Sequence, residues 1–289
     1  MPELLRPEAI HYLGPADSYS GILAEQLYPD ESGVLRIAQP TFRRITHAVE
    51  ETEAAVGLLP MENSTSSTVH ENADAMFDRR LIVIQEALLA ISLHLIGLEG
   101  AQKREVTAVY SHVQALAQCR KYIRAHQLEE VETASTAAAA GMVLAANNPA
   151  IVCLGGLKVV ERPGLTVIER NVADHPKKNK TKFFVVRRRE GEELSSMPEA
   201  NGDQLKLTLV VELMEKIGSL GRYLVQLEEQ GANLSTIESR PNPVKDDYYF
   251  WMDVEMPAQR VPDFLAAARE SARSLDVLGI YKPGQTYQS

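Results

Sequence analysis

Val56-Gly57-Leu58-Leu59-Pro60-Met61-Glu62-Asn63-Ser64 is the stretch that decides the fold, because an apolar run passes directly into polar residues. Residues 54–59 are continuously apolar and do not alternate with polar ones, which is typical of a parallel strand buried on both faces. Ligands of parallel α/β sheets bind beyond the carboxyl ends of the strands. This stretch therefore predicts an α/β fold and one wall of a cleft.

The segments on either side of this strand alternate between strand and helix patterns. Short apolar runs come before helices that begin at Ser18 or Ser20, at Thr41 and near Thr68, and hydroxyl side chains are favoured helix N-caps. Strand, helix, strand, helix is the pattern of a parallel sheet with right-handed crossovers. We therefore expect a first α/β lobe at the start of the chain.

A second lobe follows at about residues 100–160, where further strand and helix patterns alternate. Leu81–Leu98 is long enough to form one or two strands that cross between the lobes. We expect residues 165–169 and 181–188 to return as strands to the first lobe. The result is a two-lobed domain, built like a periplasmic binding protein, over residues 1–190, and its cleft lies between the lobes.

A second domain is predicted after a charged segment. Residues 191–204 contain charges, glycine and proline and are typical of a linker. Residues 205–289 then show the order strand, helix, strand, strand, helix, strand. This βαββαβ order is ferredoxin-like.

The bulk composition excludes several classes of protein. With 30 basic and 39 acidic residues among 289, the net charge of −9 disfavours nucleic acid as a partner. The two cysteines, Cys119 and Cys153, make neither a disulfide framework nor a Cys-x-x-Cys metal site. Polar residues interrupt the longest apolar run, so it is not a membrane span. Because an apolar signal segment is also lacking, we expect a cytoplasmic protein without membrane partners.

Asn179-Lys180-Thr181-Lys182-Phe183 places one hydroxyl between two cations at the mouth of a second apolar run. Ammonium groups hold carboxylates, and a threonine hydroxyl can donate a proton or a hydrogen bond to a departing oxygen. The alternative interpretation is a plain strand that begins with solvated lysines.

Five ordered motifs together resemble prephenate dehydratase with a C-terminal ACT domain, an amino-acid-sensing module. The motifs are Tyr12–Ser20, Val56–Ser64, Tyr110–Cys119, Thr181–Phe183 and Leu234–Pro241. They extend over nearly the whole chain, and their common order is far more specific than any one of them.

The resemblance implies an activity that needs no metal or cofactor. Prephenate loses its ring carboxylate and its hydroxyl to give phenylpyruvate, and Thr181 is the implied proton donor. The implied substrate-binding residues are Ser18, Asn63, Ser64, Ser111, Gln114, Lys182 and Phe183. Without the resemblance, a simple helix cap is the favoured interpretation of Asn63 and Ser64.

The resemblance also implies that phenylalanine regulates the enzyme through the ACT domain and that the chain forms a homodimer or homotetramer. The implied effector-binding residues are Gly218, Ser219, Leu220, Asn233, Leu234, Glu238, Ser239, Arg240 and Pro241. For Ser239–Pro241 the alternative is a strand end broken by proline.

Several positions depart from the family pattern. Asp17 replaces a glycine, Ser66 and Ser67 replace Glu-Gly, Cys153-Leu154 replaces a small residue and serine, and Lys182 replaces an arginine. Lysine offers a point charge where arginine would grip a carboxylate with two hydrogen bonds. These departures leave three alternatives open: an arogenate dehydratase or related prephenate-processing enzyme, a non-catalytic amino-acid sensor, and a solute-binding protein.

Overall fold

The computed structural model describes residues 6–65, 68–77, 80–189, 198, 203–242 and 247–289. Three β-sheets and eight α-helices lie within these ranges. None of the helices described there is long and apolar enough to cross a membrane. Ser66 and Ser67, where the sequence departs from the family pattern, lie outside the described residues.

The first lobe contains a six-stranded sheet. Its strands in spatial order are β15 (Gln285–Gln288), β4 (Leu81–Ala90), β10 (Lys180–Arg188), β3 (Ala55–Asn63), β1 (Ala9–Leu13) and β2 (Leu35–Gln39). Its helices are α1 (Tyr19–Leu27), α2 (Phe42–Glu51) and α3 (His70–Phe77). β3 pairs with β1 in parallel, which confirms the parallel strand predicted from the apolar run. β10 is antiparallel to both β3 and β4.

The second lobe contains a five-stranded sheet. Its strands in spatial order are β7 (Glu129–Glu132), β6 (Ala108–Ser111), β8 (Ile151–Gly155), β5 (His94–Leu98) and β9 (Leu165–Glu169). Its helices are α4 (Val113–Gln118), α5 (Arg120–Ala125) and α6 (Thr136–Ala146). The passage from β4 to β5 confirms that residues 81–98 form two strands that cross between the lobes.

The return of the chain to the first lobe occurs later than the sequence predicted. Residues 165–169 were expected in the first lobe, but β9 pairs antiparallel with β5 in the second. Leu165 there packs on Ile96 and Val159 in a separate apolar cluster of the second lobe. The apolar run alone predicts a strand and does not choose its partner, so only β10 makes the return.

The third sheet belongs to the C-terminal unit. β11 (Gln204–Glu212), α7 (Ser219–Glu229), β12 (Asn233–Pro241), β13 (Tyr248–Pro257), α8 (Val261–Ser271) and β14 (Ser274–Tyr281) follow one another in the predicted βαββαβ order. The antiparallel strands lie in the spatial order β12-β13-β11-β14. Most of the predicted linker at residues 191–204 lies outside the described residues.

The C-terminal sheet has an apolar layer on each face. Leu207, Met252 and Val254 pack beneath α7 and α8 on one face. On the opposite face, Val210, Tyr249, Trp251, Leu278 and Tyr281 share a core with first-lobe residues. The first-lobe members of that core include Ile45, Leu59, Met61, Met76, Val83 and Phe184. The two units therefore have a continuous hydrophobic interface.

The chain ends in the first lobe rather than in the C-terminal unit. β15 pairs in parallel with β4, and Tyr287 packs on the apolar core that the two lobes share. The hydroxyl of Ser289 accepts a hydrogen bond from the Ser92 N–H over 2.9 Å, next to the passage between the lobes. The domain predicted over residues 205–289 thus contributes its last strand to the neighbouring sheet.

Gly279 on β14 lies close to β4 of the first lobe and provides a test of this interface. A Cβ atom at Gly279 would lie 2.4 Å from the Val83 carbonyl oxygen, so β14 and β4 would have to separate. We expect Gly279→Ala to lower the free energy of unfolding by about 1–3 kcal/mol. Thermal and urea unfolding followed by circular dichroism measure this loss.

Gly221 on α7 supplies the matched control, because a Cβ atom there meets nothing within 4 Å. Gly221→Ala should stabilise the protein by up to about 1 kcal/mol, since alanine is the better helix former. Equal behaviour of the two variants would show that the β14–β4 contact is not tight in solution.

Candidate active site

Asn63 and Thr181 meet at the ends of two paired strands. β3 and β10 are antiparallel, and Thr181 lies directly opposite Asn63 in their register. The Asn63 Nδ2 atom donates a hydrogen bond to Thr181 Oγ1 over 3.0 Å. Since Asn63 is the donor, this contact leaves the Thr181 hydroxyl hydrogen available for another acceptor.

A backbone group determines the orientation of the Asn63 amide. The Thr65 N–H donates to Asn63 Oδ1 over 3.0 Å, and the Thr65 hydroxyl donates to the same oxygen over 2.7 Å. A backbone N–H cannot accept, so the atom facing Thr65 must be the oxygen. The amide nitrogen of Asn63 therefore faces Thr181.

Two further amides extend this network into the second lobe. Asn63 Nδ2 also donates to Asn179 Oδ1 over 2.9 Å, and Asn179 Nδ2 donates to Gln118 Oε1 over 2.7 Å. Gln118 Nε2 returns to Thr65 Oγ1 over 2.6 Å. Because Gln118 ends α4, this ring of hydrogen bonds joins the two lobes beside Thr181.

A cavity of about 320 Å³ opens against this network. Its polar wall contains Thr65, Gln114, Gln118, Asp174, His175 and Asn179. Residues from both lobes line it, as expected for a cleft between α/β lobes. Its size is suitable for a small organic substrate.

Four of the predicted substrate-binding residues make structural contacts and are not part of the cavity lining. Ser18 caps α1 by accepting from the Gly21 N–H, and its own hydroxyl donates to the Leu13 carbonyl over 2.8 Å. The hydroxyl of Ser64 donates to the Lys178 carbonyl and accepts from the Lys180 N–H. Ser111 is buried and donates to the Leu154 carbonyl over 2.9 Å. Phe183 is buried in an apolar core that the two lobes share.

The structure does not bring Lys182 together with the cleft residues. Neighbouring residues of a strand point to opposite faces, and Lys182 points to the C-terminal unit. Its Nζ atom lies 2.9 Å from Asp253 Oδ2 and 3.0 Å from Glu62 Oε2. The expectation that Lys182 holds a substrate carboxylate is therefore corrected, because two protein carboxylates already engage its charge.

The charge of Lys182 is stabilised where it lies. Burial acts to lower the pKa of Lys182, but Asp253 and Glu62 outweigh it and raise the pKa above its ordinary value. The ammonium group is therefore fully charged at neutral pH.

The predicted effector residues fall at both ends of the C-terminal sheet. Gly218, with a φ of 78°, precedes Ser219 and Leu220 at the start of α7. The end of β12, Glu238–Pro241, lies at that same end of the sheet, because Asn242 Nδ2 donates to Glu212 Oε1 over 3.1 Å. Asn233 and Leu234 begin β12 at the opposite end, opposite Glu255 and Val254. Within one chain, Asn233 and Leu234 therefore lie apart from Gly218–Leu220 and Glu238–Pro241.

Glu238 and Arg240 contact the first lobe rather than an open surface. Arg240 forms hydrogen bonds with His70 and Asp74 on α3. Glu238 Oε1 lies 3.3 Å from His70 Nδ1 and 3.6 Å from Arg240 Nη1. The last residues of β12 therefore hold the helix that follows Asn63–Thr65.

Cys119, Cys153 and His112 of the second lobe have structural roles. Burial raises the pKa of both Cys119 and Cys153 to about 12, so neither is a thiolate at neutral pH. His112 caps α4 by accepting from the Gln114 N–H, and burial lowers its pKa. Among the described residues, no group of three or more histidine, cysteine or acidic side chains is arranged to hold a metal ion.

Sequence reasoning did not assign a role to Thr65, Gln118 or Asn179. Two of them carried a usable signal, since Gln118 lies one helical turn after Gln114 and Asn179 is two residues before Thr181. An i, i+4 pair of glutamines shares one helix face. Thr65 carried none, because its role depends on the turn that follows β3.

Comparisons with known proteins point to one family. The family model for prephenate dehydratase matches residues 10–191. A bifunctional chorismate mutase/prephenate dehydratase of Enterobacter agglomerans is 30% identical over 283 residues, which are 94% of this chain and 70% of that protein. A prephenate dehydratase of Methanocaldococcus jannaschii is 30% identical over 229 residues, covering 78% of this chain and 80% of the relative.

A solved structure resembles the chain over nearly its whole length. The prephenate dehydratase of Arthrobacter aurescens, in complex with L-Phe, superposes with a TM-score of 0.83 at 30% identity and covers 95% of this chain and 90% of its own. The family match includes Asn63, Gln118 and Thr181, which the structure joins in one network. The chain therefore belongs to the prephenate dehydratase family.

Proposed function

We propose that this protein converts prephenate to phenylpyruvate, carbon dioxide and water, with Thr181 as the proton donor. The hydrogen bond from Asn63 Nδ2 to Thr181 Oγ1, 3.0 Å long, carries the proposal. A donor to the threonine oxygen makes the remaining O–H a stronger hydrogen-bond donor, since linked hydrogen bonds polarise one another. This contact addresses the main difficulty of the assignment, because a free threonine hydroxyl is a poor acid.

The reaction requires one proton donor from the protein. As the bond to the ring carboxylate breaks, its electron pair enters the ring and the bond to the ring hydroxyl breaks. The hydroxyl leaves as water after it takes a proton from Thr181, and solvent returns that proton. The ring becomes aromatic, which drives the step. Interactions formed only with the departing hydroxyl raise kcat more than they lower KM.

The first experiment is an assay of the purified protein with prephenate. Phenylpyruvate is followed by its absorbance in alkali, with and without added phenylalanine. Arogenate, which carries an ammonium group where prephenate has a keto oxygen, serves as the contrasting substrate. A folded protein that turns over arogenate but not prephenate would overturn the proposed substrate.

Replacing Thr181 tests the proposed proton donor. Thr181→Ala should lower kcat by about 10²–10⁴-fold, the usual contribution of general acid catalysis, and should change KM far less. The thermal midpoint should hardly move, because the Thr181 side chain is only partly buried. Steady-state kinetics and calorimetry measure both quantities.

Thr181→Ser is the control, because it keeps the hydroxyl and loses only a methyl group. It should retain much of the wild-type kcat. A Thr181→Ala enzyme with normal turnover would remove Thr181 from the mechanism.

We further propose that the C-terminal unit is an ACT domain that binds phenylalanine and inhibits the enzyme. The βαββαβ order and the L-Phe complex of the Arthrobacter aurescens protein support this proposal. The proposed contacts are Gly218–Leu220 at the start of α7 and Glu238–Pro241 on β12. Asn233 and Leu234 join this site only if a second chain supplies them.

Pairing of two chains through their C-terminal units is part of the same proposal. β12 is an edge strand, and alternate residues of it are exposed, among them Ile237. An edge strand with an exposed apolar side chain favours association with another chain. A homodimer or homotetramer in the cytoplasm is the assembly that we expect.

Arg240 tests the proposed regulation. Arg240→Ala removes the charged hydrogen bond with Asp74. It should raise the phenylalanine concentration for half-inhibition by on the order of tenfold. The effect on kcat without phenylalanine should be smaller. Inhibition curves at fixed prephenate concentration measure the shift.

Arg260 offers a matched control at the other end of the same unit, where its Nη1 atom donates to the Gln230 carbonyl over 3.4 Å. Arg260→Ala should leave the inhibition curve unchanged. If Arg240→Ala behaves in the same way, the effector site lies elsewhere.

A further inference from the structure

Lys182 joins the C-terminal sheet to the strands that carry the proposed catalytic pair. Thr181 pairs with Asn63 and Lys182 pairs with Glu62 in consecutive positions of the β3–β10 register. The Thr181–Asn63 hydrogen bond lies on the cleft face, and the Lys182–Glu62 ion pair of 3.0 Å lies on the opposite face. A movement of Lys182 therefore acts on both strands at the residues next to the catalytic pair.

The third member of this ion-pair cluster comes from the C-terminal sheet. Asp253 on β13 is fully buried, and its Oδ2 atom lies 2.9 Å from Lys182 Nζ. Its other oxygen accepts from Thr208 Oγ1 over 2.9 Å. A buried carboxylate that is held from two sides has little freedom, so its position is determined by the sheet around it.

Strand β12, which carries the proposed effector contacts Glu238–Pro241, faces the same cluster. Thr236 Oγ1 lies 3.5 Å from Lys182 Nζ, and the next inward residues of β12 are Glu238 and Arg240. These two residues contact His70 and Asp74 on α3. Strand β12 thus contacts the catalytic lobe at Lys182 and at α3, on either side of the turn after Asn63.

We propose that Lys182 is a positioning residue that couples the C-terminal unit to turnover: its ion pairs with Asp253 and Glu62 hold β10 and β3 so that Thr181 and Asn63 stay in register. The effector acts by moving β12 and β13 relative to β10. The inference rests on the proposed function and on phenylalanine as effector. It gives Lys182 a role in place of the substrate contact that the sequence suggested.

A charge-balanced variant tests this coupling. Lys182→Met alone would leave Asp253 buried without its cation and is expected to impair folding. The double variant Lys182→Met with Asp253→Asn removes both charges of the pair. We expect its kcat with prephenate to fall on the order of tenfold, because small misplacements of catalytic groups cost 10²-fold or less, while KM changes little.

The regulatory readout separates coupling from effector binding. In the double variant, the phenylalanine concentration for half-inhibition should rise on the order of tenfold, within the usual range of coupling between sites. The Kd of phenylalanine, measured by isothermal titration calorimetry, should stay at the wild-type value. The single variant Lys182→Arg keeps the charge and should retain wild-type turnover and inhibition.

Lys206 and Glu86 provide a matched control in the same interface. Their Nζ and Oε2 atoms lie 2.7 Å apart, and both side chains are buried. Glu86 is on β4, opposite Phe184, which lies three residues along β10 from Thr181. Lys206→Met with Glu86→Gln should lower stability but leave the ratio of inhibited to uninhibited turnover unchanged. Equal loss of inhibition in both double variants would overturn the specific role of Lys182, as would a Lys182 double variant with wild-type turnover and inhibition.

Hydrogen exchange keeps the inference testable apart from the reaction. In the wild-type protein, phenylalanine should change amide exchange in residues 180–186, and the Lys182 double variant should lose that change. If the wild type makes no phenylpyruvate, the proposed function fails, and the exchange result still decides the coupling. The proposed coupling is overturned if phenylalanine alters neither turnover nor amide exchange in the wild-type protein.

Discussion

The antiparallel pairing of β3 with β10 is the constraint on which the rest of the structure depends. It places Thr181 opposite Asn63 and Lys182 opposite Glu62. The register shifts immediately afterwards, because Phe183 pairs with Pro60 and Met61 has no partner of its own. Such a β-bulge leaves one residue unpaired and changes the face to which the following side chains point.

The bulge explains why the two proposed catalytic side chains share a face. Leu59 and Met61 pack in the interface with the C-terminal unit, so simple alternation would place Asn63 there too. The extra residue turns Glu62 to that interface and Asn63 to the cleft. Pro60 fits this irregularity, because it has no N–H to contribute to the ladder.

Neutral amides organise the cleft. The Thr65 N–H orients Asn63, Asn63 orients Asn179, and Asn179 orients Gln118, so that one backbone group determines the direction of three side chains. Amides placed in this way present fixed dipoles without the desolvation cost of buried charges. The buried ion pairs of Lys182 and Lys206 lie instead on the other face of the sheet, where it meets the C-terminal unit.

The interface between the two units is built like a protein core and contains two buried ion pairs. Buried pairs seldom add stability relative to apolar residues, but the loss of one partner is strongly destabilising. Lys182–Asp253 and Lys206–Glu86 therefore select one alignment of the two sheets. The return of β15 to the first-lobe sheet adds a second connection between the units. The C-terminal unit is thus tied to β10 and β4 by side-chain ion pairs and by strand pairing.

The sequence by itself determined the element types and their order. The apolar run at residues 54–59 indicated a buried parallel strand, Leu81–Leu98 indicated a crossing segment, and residues 205–285 indicated the βαββαβ order. These patterns depend on local periodicity, which a sequence displays directly. Thr181 and Asn63 were also named, because the motifs that contain them resemble those of the family.

Only the tertiary structure decided which elements and side chains meet. It assigned residues 165–169 to the second lobe and Gln285–Gln288 to the first-lobe sheet. It directed Lys182 away from the cleft and brought Gln118 and Asn179 to Asn63. Strand partners, bulges and contacts between lobes arise from residues distant in the chain, and a one-residue change in register reverses every face, so no local pattern specifies them.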